Sequence, residues 1–202
     1  MAKQSCWACQ KIKTAVWWFL FYEIVPGAGD DIFCYTGDIT KKGGFFMKKF
    51  LLFVLAIVIS FLPGIIGMMF SPDGASDMWY NALVKPALTP AGWVFAVVWP
   101  ILYFLLGIAL YLIMVDTTRL SKTKSYSLFA VHMGLNALWS YLFFGINLTG
   151  AALIVLLLLI GFTVWMMVAF RQISRPAYYL VWPYIIWLVF ALYLNSGVVM
   201  MN

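Results

Sequence analysis

The chain has 202 residues, of which 65% are hydrophobic, 19% aromatic and only 10% charged, a composition that excludes an ordinary water-soluble domain. Its formal charge of +6 does not point to nucleic acid, because the basic residues sit in small groups between long apolar runs rather than in one patch. The three cysteines, Cys6, Cys9 and Cys34, all precede the apolar body, so no disulfide framework holds that body together.

In chain order, the first 46 residues differ from the rest. The run from Val16 to Tyr22 is apolar but too short to cross a bilayer, and the segment lacks the flanks of a secretory signal. Lys42-Gly43-Gly44 stands just ahead of Met47-Lys48-Lys49, and a bacterial gene encoding Lys-Gly-Gly reads easily as a purine-rich ribosome-binding sequence. Met47 is therefore expected to be the native start, and residues 1–46 a leader or upstream translated sequence outside the fold. The rival reading makes Cys6-x-x-Cys9 with Cys34 a metal or redox site. It lacks a nearby histidine or fourth cysteine, and no βαβ pattern follows.

Apolar runs then occupy roughly 50–70, 92–115, 126–146, 150–170 and 177–200. Each reaches the length of about 20 residues that a helix needs to cross the hydrocarbon core. The segment 47–202 is thus expected to be an all-α membrane protein, a bundle of five transmembrane helices. Most connections are short, so consecutive helices are expected to be antiparallel neighbours. The side holding the first helix start carries Lys48, Lys49, Arg119, Lys122, Lys124, Arg171 and Arg175, whereas the opposite loops carry only Lys85. That asymmetry places the N-terminus and the 116–125 and 171–176 connections inside, and the 71–91 loop and the C-terminus outside.

Three helical faces combine aromatic rings with small or polar groups. Trp99, Tyr103 and Gly107 recur every fourth residue, Tyr184, Trp187, Ala191 and Asn195 share a second face, and His132, Asn136, Trp139 or Ser140, and Phe143 form a third. Polar side chains in a span are costly towards lipid, so His132, Asn136 and Asn195 are expected to point inward. Such faces suit a large, flat, mostly apolar ligand. The plainer alternative is that Asn136 and Asn195 bind helices together and that mid-span rings fill the bundle. For Trp7, Trp17, Trp18, Trp93 and Trp165 an interfacial or packing role is the expectation. Pro86, Pro90, Pro100 and Pro183 suit helix starts and kinks. His132 is the single histidine and is expected to be a satisfied bundle residue rather than a metal or haem ligand. Asp73, Asp77 and Asp116 are loop residues, so no catalytic acid–base pair, metal site or proton relay is visible.

The segment Trp79-Tyr80-Asn81-Ala82-Leu83-Val84-Lys85-Pro86-Ala87-Leu88-Thr89-Pro90-Ala91-Gly92-Trp93, followed by Val98-Trp99-Pro100-Ile101-Leu102-Tyr103 and Gly107, resembles the TspO/MBR family, the tryptophan-rich sensory and translocator proteins. It departs from the family pattern at Ala91, where the second of two prolines is expected. Further matches are Leu135 to Phe144 in the third span and Pro183-Tyr184-Ile185-Ile186-Trp187 with Phe190-Ala191 and Leu194-Asn195 in the fifth. The resemblance implies a porphyrin or haem ligand with no required cofactor, in a pocket lined by Tyr80, Pro90, Trp99, Tyr103, Asn136, Trp139, Phe143, Tyr184, Trp187 and Ala191. It also implies a role in porphyrin transport, sensing or stress-linked turnover, the last through photo-oxidation at Trp99 and Trp187, and a homodimer through the third helix at Ala130-x-x-x-Gly134. The alternative is a small-solute or sterol-type lipid transporter. Against sterol, no basic residue follows Tyr193 near the end of the fifth span.

Overall fold

The computed structural model of the chain describes residues 39–70 and 78–202. Cys6, Cys9, Cys34, Asp73, Asp77 and the readings placed on residues 1–38 lie outside the described residues. Helix α1 runs Ile39–Met68, the short α2 Met78–Ala82, α3 Gly92–Val115 and α4 Thr123–Ser140. A π-helical turn, Tyr141–Gly145, extends α4, and α5 Thr149–Ile173, α6 Arg175–Leu180 and α7 Trp182–Met201 complete the described residues.

Five helical stretches are long and apolar enough to cross a membrane: Met47–Met68, Gly92–Val115, Thr123–Gly145, Thr149–Ile173 and Arg175–Met201. They agree with the five apolar runs of the sequence to within a few residues at each end. No strand occurs among the described residues. A helix satisfies its backbone polar groups internally, which is why the spans are helical throughout. Large apolar side chains that would be an aggregation hazard in water, such as Val58 and Leu62 on α1 and Leu157 and Leu158 on α5, are exposed on the outer surface. Hydrocarbon is the solvent that fits them.

Pro100 lies inside α3, where its missing N–H frees the Ala96 carbonyl. The fifth span breaks at Val181: α6 ends at Leu180, and α7 restarts with Pro183 in its first turn. Pro176 plays the same part in α6, beside an N-cap in which Ser174 Oγ accepts from the Ala177 N–H. The reversal from the π-helical turn into α5 uses Asn147 at φ 61°, a left-handed conformation that asparagine tolerates better than most residues. At the other end of the bundle Lys122 Nζ donates to the carbonyls of Met114 and Asp116, closing the C-terminus of α3.

The packing order is not the order of the chain. Helix α1 packs on both α3 and α4, α5 packs on α4, α6 and α7, and the fifth span returns to α3. The expectation that all consecutive helices are close neighbours is therefore corrected at one place. Helices α3 and α4 have their main partners elsewhere, with α1 lying against both. Contact across the interior between α3 and α4 is made by long side chains. Helices α1 and α3 approach closely at Gly107, where a Cβ would stand 2.6 Å from Ile57 Cδ1 and 3.0 Å from Ile57 Cα.

Candidate functional site

The side chains that bridge α3 and α4 are those of the aromatic faces. Trp99 stacks on Tyr103 one turn along α3, with centroids 5.4 Å apart and planes at 28°. It reaches Trp139 of α4 at 6.5 Å and meets the Tyr184 ring of α7 edge-on at 6.3 Å. Trp139 stacks on Phe143 at 5.5 Å and 27°. The π-helical turn contributes here, since Phe143 is its buried residue; such turns re-aim side chains at one point of a helix.

A hydrogen-bonded chain crosses the same interior. The Tyr103 hydroxyl donates to Asn136 Oδ1 at 2.8 Å, and Asn136 Nδ2 donates to the Tyr184 hydroxyl at 2.6 Å. Asn136 binds helices together, its carbonyl and one N–H both engaged between α3 and α7. Asn195 is tied likewise, its Nδ2 donating to the Thr149 carbonyl at 3.1 Å. All three polar residues expected to point inward are buried: His132, Asn136 and Asn195 are 0%, 1% and 2% exposed. His132 departs from expectation in one respect. Neither ring nitrogen has a partner among the described residues, and its ring lies 4.9 Å from that of Tyr184.

Trp99, Tyr103, Asn136, Trp139, Phe143 and Tyr184 thus form one contiguous set. Trp187 packs against the same core as Trp99 and Trp139 and meets Phe95 edge-on at 5.8 Å, and Ala191 is buried one turn beyond Trp187. Tyr80 lies at the loop end, 6.0 Å from Phe144, and burial raises its phenol above the ordinary value. Pro90 is half-buried just before the start of α3. Sequence reasoning missed Trp79, whose ring meets Phe143 at 6.0 Å, and Phe95. The signal for Phe95 was present, since it precedes Trp99 by four residues on the same face. Trp93 and Trp165, assigned to interfacial or packing roles, are 70% and 50% exposed. The indole N–H groups of Trp139 and Trp187 are buried and find no acceptor among the described residues.

The loop after α2 closes over this end of the bundle. Pro86 is buried against Gly197 of α7, where a Cβ would collide with Pro86 Cγ. The Val84 N–H donates to Asn202 Oδ1 at 2.9 Å, and Asn202 Nδ2 donates back to the Val84 carbonyl at 3.0 Å. Lys85 Nζ stands 4.0 Å over the Tyr80 ring. Asn202→Ala removes both clasping bonds, each worth about 1 kcal/mol in an exposed setting. Amide exchange in the peptide covering Val84 is expected to quicken by roughly fivefold or more; an unchanged rate would show that Pro86 packing alone holds the loop.

The sequence profile of the TspO/MBR family matches residues 53–201. The chain is 36% identical over 156 residues to the tryptophan-rich protein TspO of Chlorobaculum tepidum, covering 77% of this chain and 98% of that protein. It is 39% identical over 124 residues to the translocator protein of Ovis aries, covering 60% of this chain and 73% of that one. It is 31% identical over 153 residues to the tryptophan-rich sensory protein of Cereibacter sphaeroides, covering 73% and 92%.

Proposed function

Because the chain belongs to the TspO/MBR family and is an integral membrane protein of five spanning helices, we propose that it binds a tetrapyrrole, a porphyrin or haem, among the aromatic rings between α3, α4 and α7. The observation that carries this reading is the pair of buried indole N–H groups, Trp139 Nε1 and Trp187 Nε1, with no acceptor among the described residues. A buried donor without a partner costs about 1–3 kcal/mol. A ligand that brings carboxylate or carbonyl acceptors into an apolar, ring-lined space offsets that cost. Flat macrocycles have the matching chemistry, since their faces stack on indole and phenol rings while propionates accept hydrogen bonds. Trp99 and Trp139 stand 6.5 Å apart, centroid to centroid. Their planes are tilted at 32°, and a flat macrocycle enters between them as α3 and α4 part and the Tyr103–Asn136 bond that ties them yields.

The biological role is then uptake, sensing or turnover of porphyrin rather than acid–base catalysis. The test is titration of the purified protein in mild detergent with protoporphyrin IX while tryptophan fluorescence is followed. Saturable quenching is the expected result, and quenching that rises linearly, as for partition into the detergent, would overturn the reading.

The proposal includes a place and a partner. The protein is assigned to the cytoplasmic membrane of a bacterium, with its N-terminus inside. Ala130 and Gly134 are exposed on α4, and nothing lies within 4 Å of a Cβ at Gly134, so this face is free for a second copy of the chain. A reporter fused after Asn202 is expected to be active only outside the cytoplasm, and one inserted at Thr118 only inside. The reverse pattern would overturn the orientation.

A further inference from the structure

The end of the bundle away from the clasped loop carries many cations and little to balance them. Among the described residues Asp116 is the sole carboxylate side chain, and its Oδ1 accepts from the Thr118 N–H at 2.7 Å. Against it stand Arg119 and Lys122 in the connection from α3 to α4, Lys124 in the first turn of α4, Arg171 in the last turn of α5 and Arg175 at the start of α6. Lys122 is engaged with helix carbonyls. Lys124 and Arg171 lie instead on aromatic rings that border the outer surface of α5. Lys124 Nζ is 5.5 Å from the Trp165 centroid, and Arg171 Cζ is 5.7 Å from that of Tyr178.

These two pairs flank one exposed face. Trp165 and Arg171 are six residues apart on α5, which sets them about 120° apart around the helix, with Val168 between them. Trp165 is 50% and Val168 52% exposed, and Arg171 and Gln172 are exposed as well. Helix α4, which carries Lys124, and α6, which carries Tyr178, both pack on α5. Deeper along the same face, Gly161 is exposed and has nothing within 4 Å of where a Cβ would stand. The surface therefore offers cations on both borders, an exposed indole within the span, and an unfilled apolar strip continuing along it.

We propose that this face of α5 is a binding site for an anionic phospholipid, its phosphate held by Lys124 and Arg171 and an acyl chain lying along the strip past Trp165 to Gly161. The charge supplies the reason for an anionic rather than a zwitterionic lipid, because the described residues at this end have no carboxylate to spare for these cations. A headgroup phosphate replaces part of the ring contact of each cation with a charge-assisted hydrogen bond, about twice as strong as a neutral one.

The test is native mass spectrometry of the full chain released from micelles containing equal amounts of phosphatidylglycerol and phosphatidylcholine. The parent is expected to retain phosphatidylglycerol in severalfold preference. The double variant Lys124→Gln, Arg171→Gln should lose that preference, and Trp165→Ala should reduce it. A second double variant, Lys48→Gln, Arg119→Gln, removes the same charge elsewhere on the chain and should keep it. A parent without preference overturns the proposal. So does an equal loss in both double variants, which would assign the effect to diffuse surface charge.

Discussion

Gly107→Leu is expected to destabilise the protein by about 3 kcal/mol or more, at or beyond the upper end of overpacking costs. The reason is that the obstacle at Gly107 includes backbone. A Cβ there would meet Ile57 Cα at 3.0 Å as well as Ile57 Cδ1 at 2.6 Å and Ser60 Oγ at 3.3 Å, and a rotamer change in Ile57 relieves only the second. Helices α1 and α3 must separate, and α3 carries Trp99 and Tyr103 with it. Gly161→Leu is the matched control, because nothing lies within 4 Å of its Cβ position on the outer face of α5. Thermal unfolding in detergent should show a large fall in midpoint for the first variant and none for the second. Similar midpoints for both would mean that the α1–α3 contact is not close at Gly107.

Trp99→Ala is expected to weaken protoporphyrin IX binding by about 1–3 kcal/mol, roughly five- to 150-fold, the scale of losing a large aromatic anchor from a desolvated site. Trp99 joins rings of three helices: Tyr103 of α3, Trp139 of α4 and Tyr184 of α7 all lie within 6.5 Å of it. Its removal leaves the Tyr103–Asn136–Tyr184 hydrogen bonds in place, so binding should fall further than stability. Trp165→Ala, on the outer face, should bind porphyrin like the parent. Equal affinities for Trp99→Ala and the parent would move the ligand site away from the α3–α4 interior.

The five spans were legible because hydrocarbon imposes a simple demand, a sustained apolar run of bilayer length, and loops such as 116–122 interrupt those runs with charge. The inward faces were legible from spacing, since Trp99 and Tyr103, or Tyr184 and Ala191, fall on one side of a regular helix. Packing order was not. Short connections constrain which helices can be adjacent without saying which are, and here α1 lies against both α3 and α4. The π-helical turn was hidden for a related reason: one extra residue in a turn leaves no mark in the apolar pattern of Tyr141 to Gly145. The clasp of Asn202 on Val84 joins positions 118 residues apart, and neither residue type announces it. Asn136 shows the limit of reading single residues. Glue and ligand contact require the same amide facing the same way, and the two tyrosine hydroxyls that hold it come from residues its own position does not name.

Tetrapyrrole binding is tested most directly by the indole N–H resonances of the nitrogen-15-labelled protein during addition of protoporphyrin IX. The Trp139 and Trp187 signals, whose donors lack a partner among the described residues, are expected to shift saturably and by more than any others, while those of Trp93 and Trp165 on the outer surface stay in place. Saturable shifts confined to Trp93 and Trp165, or no saturable shift at all, would contradict it.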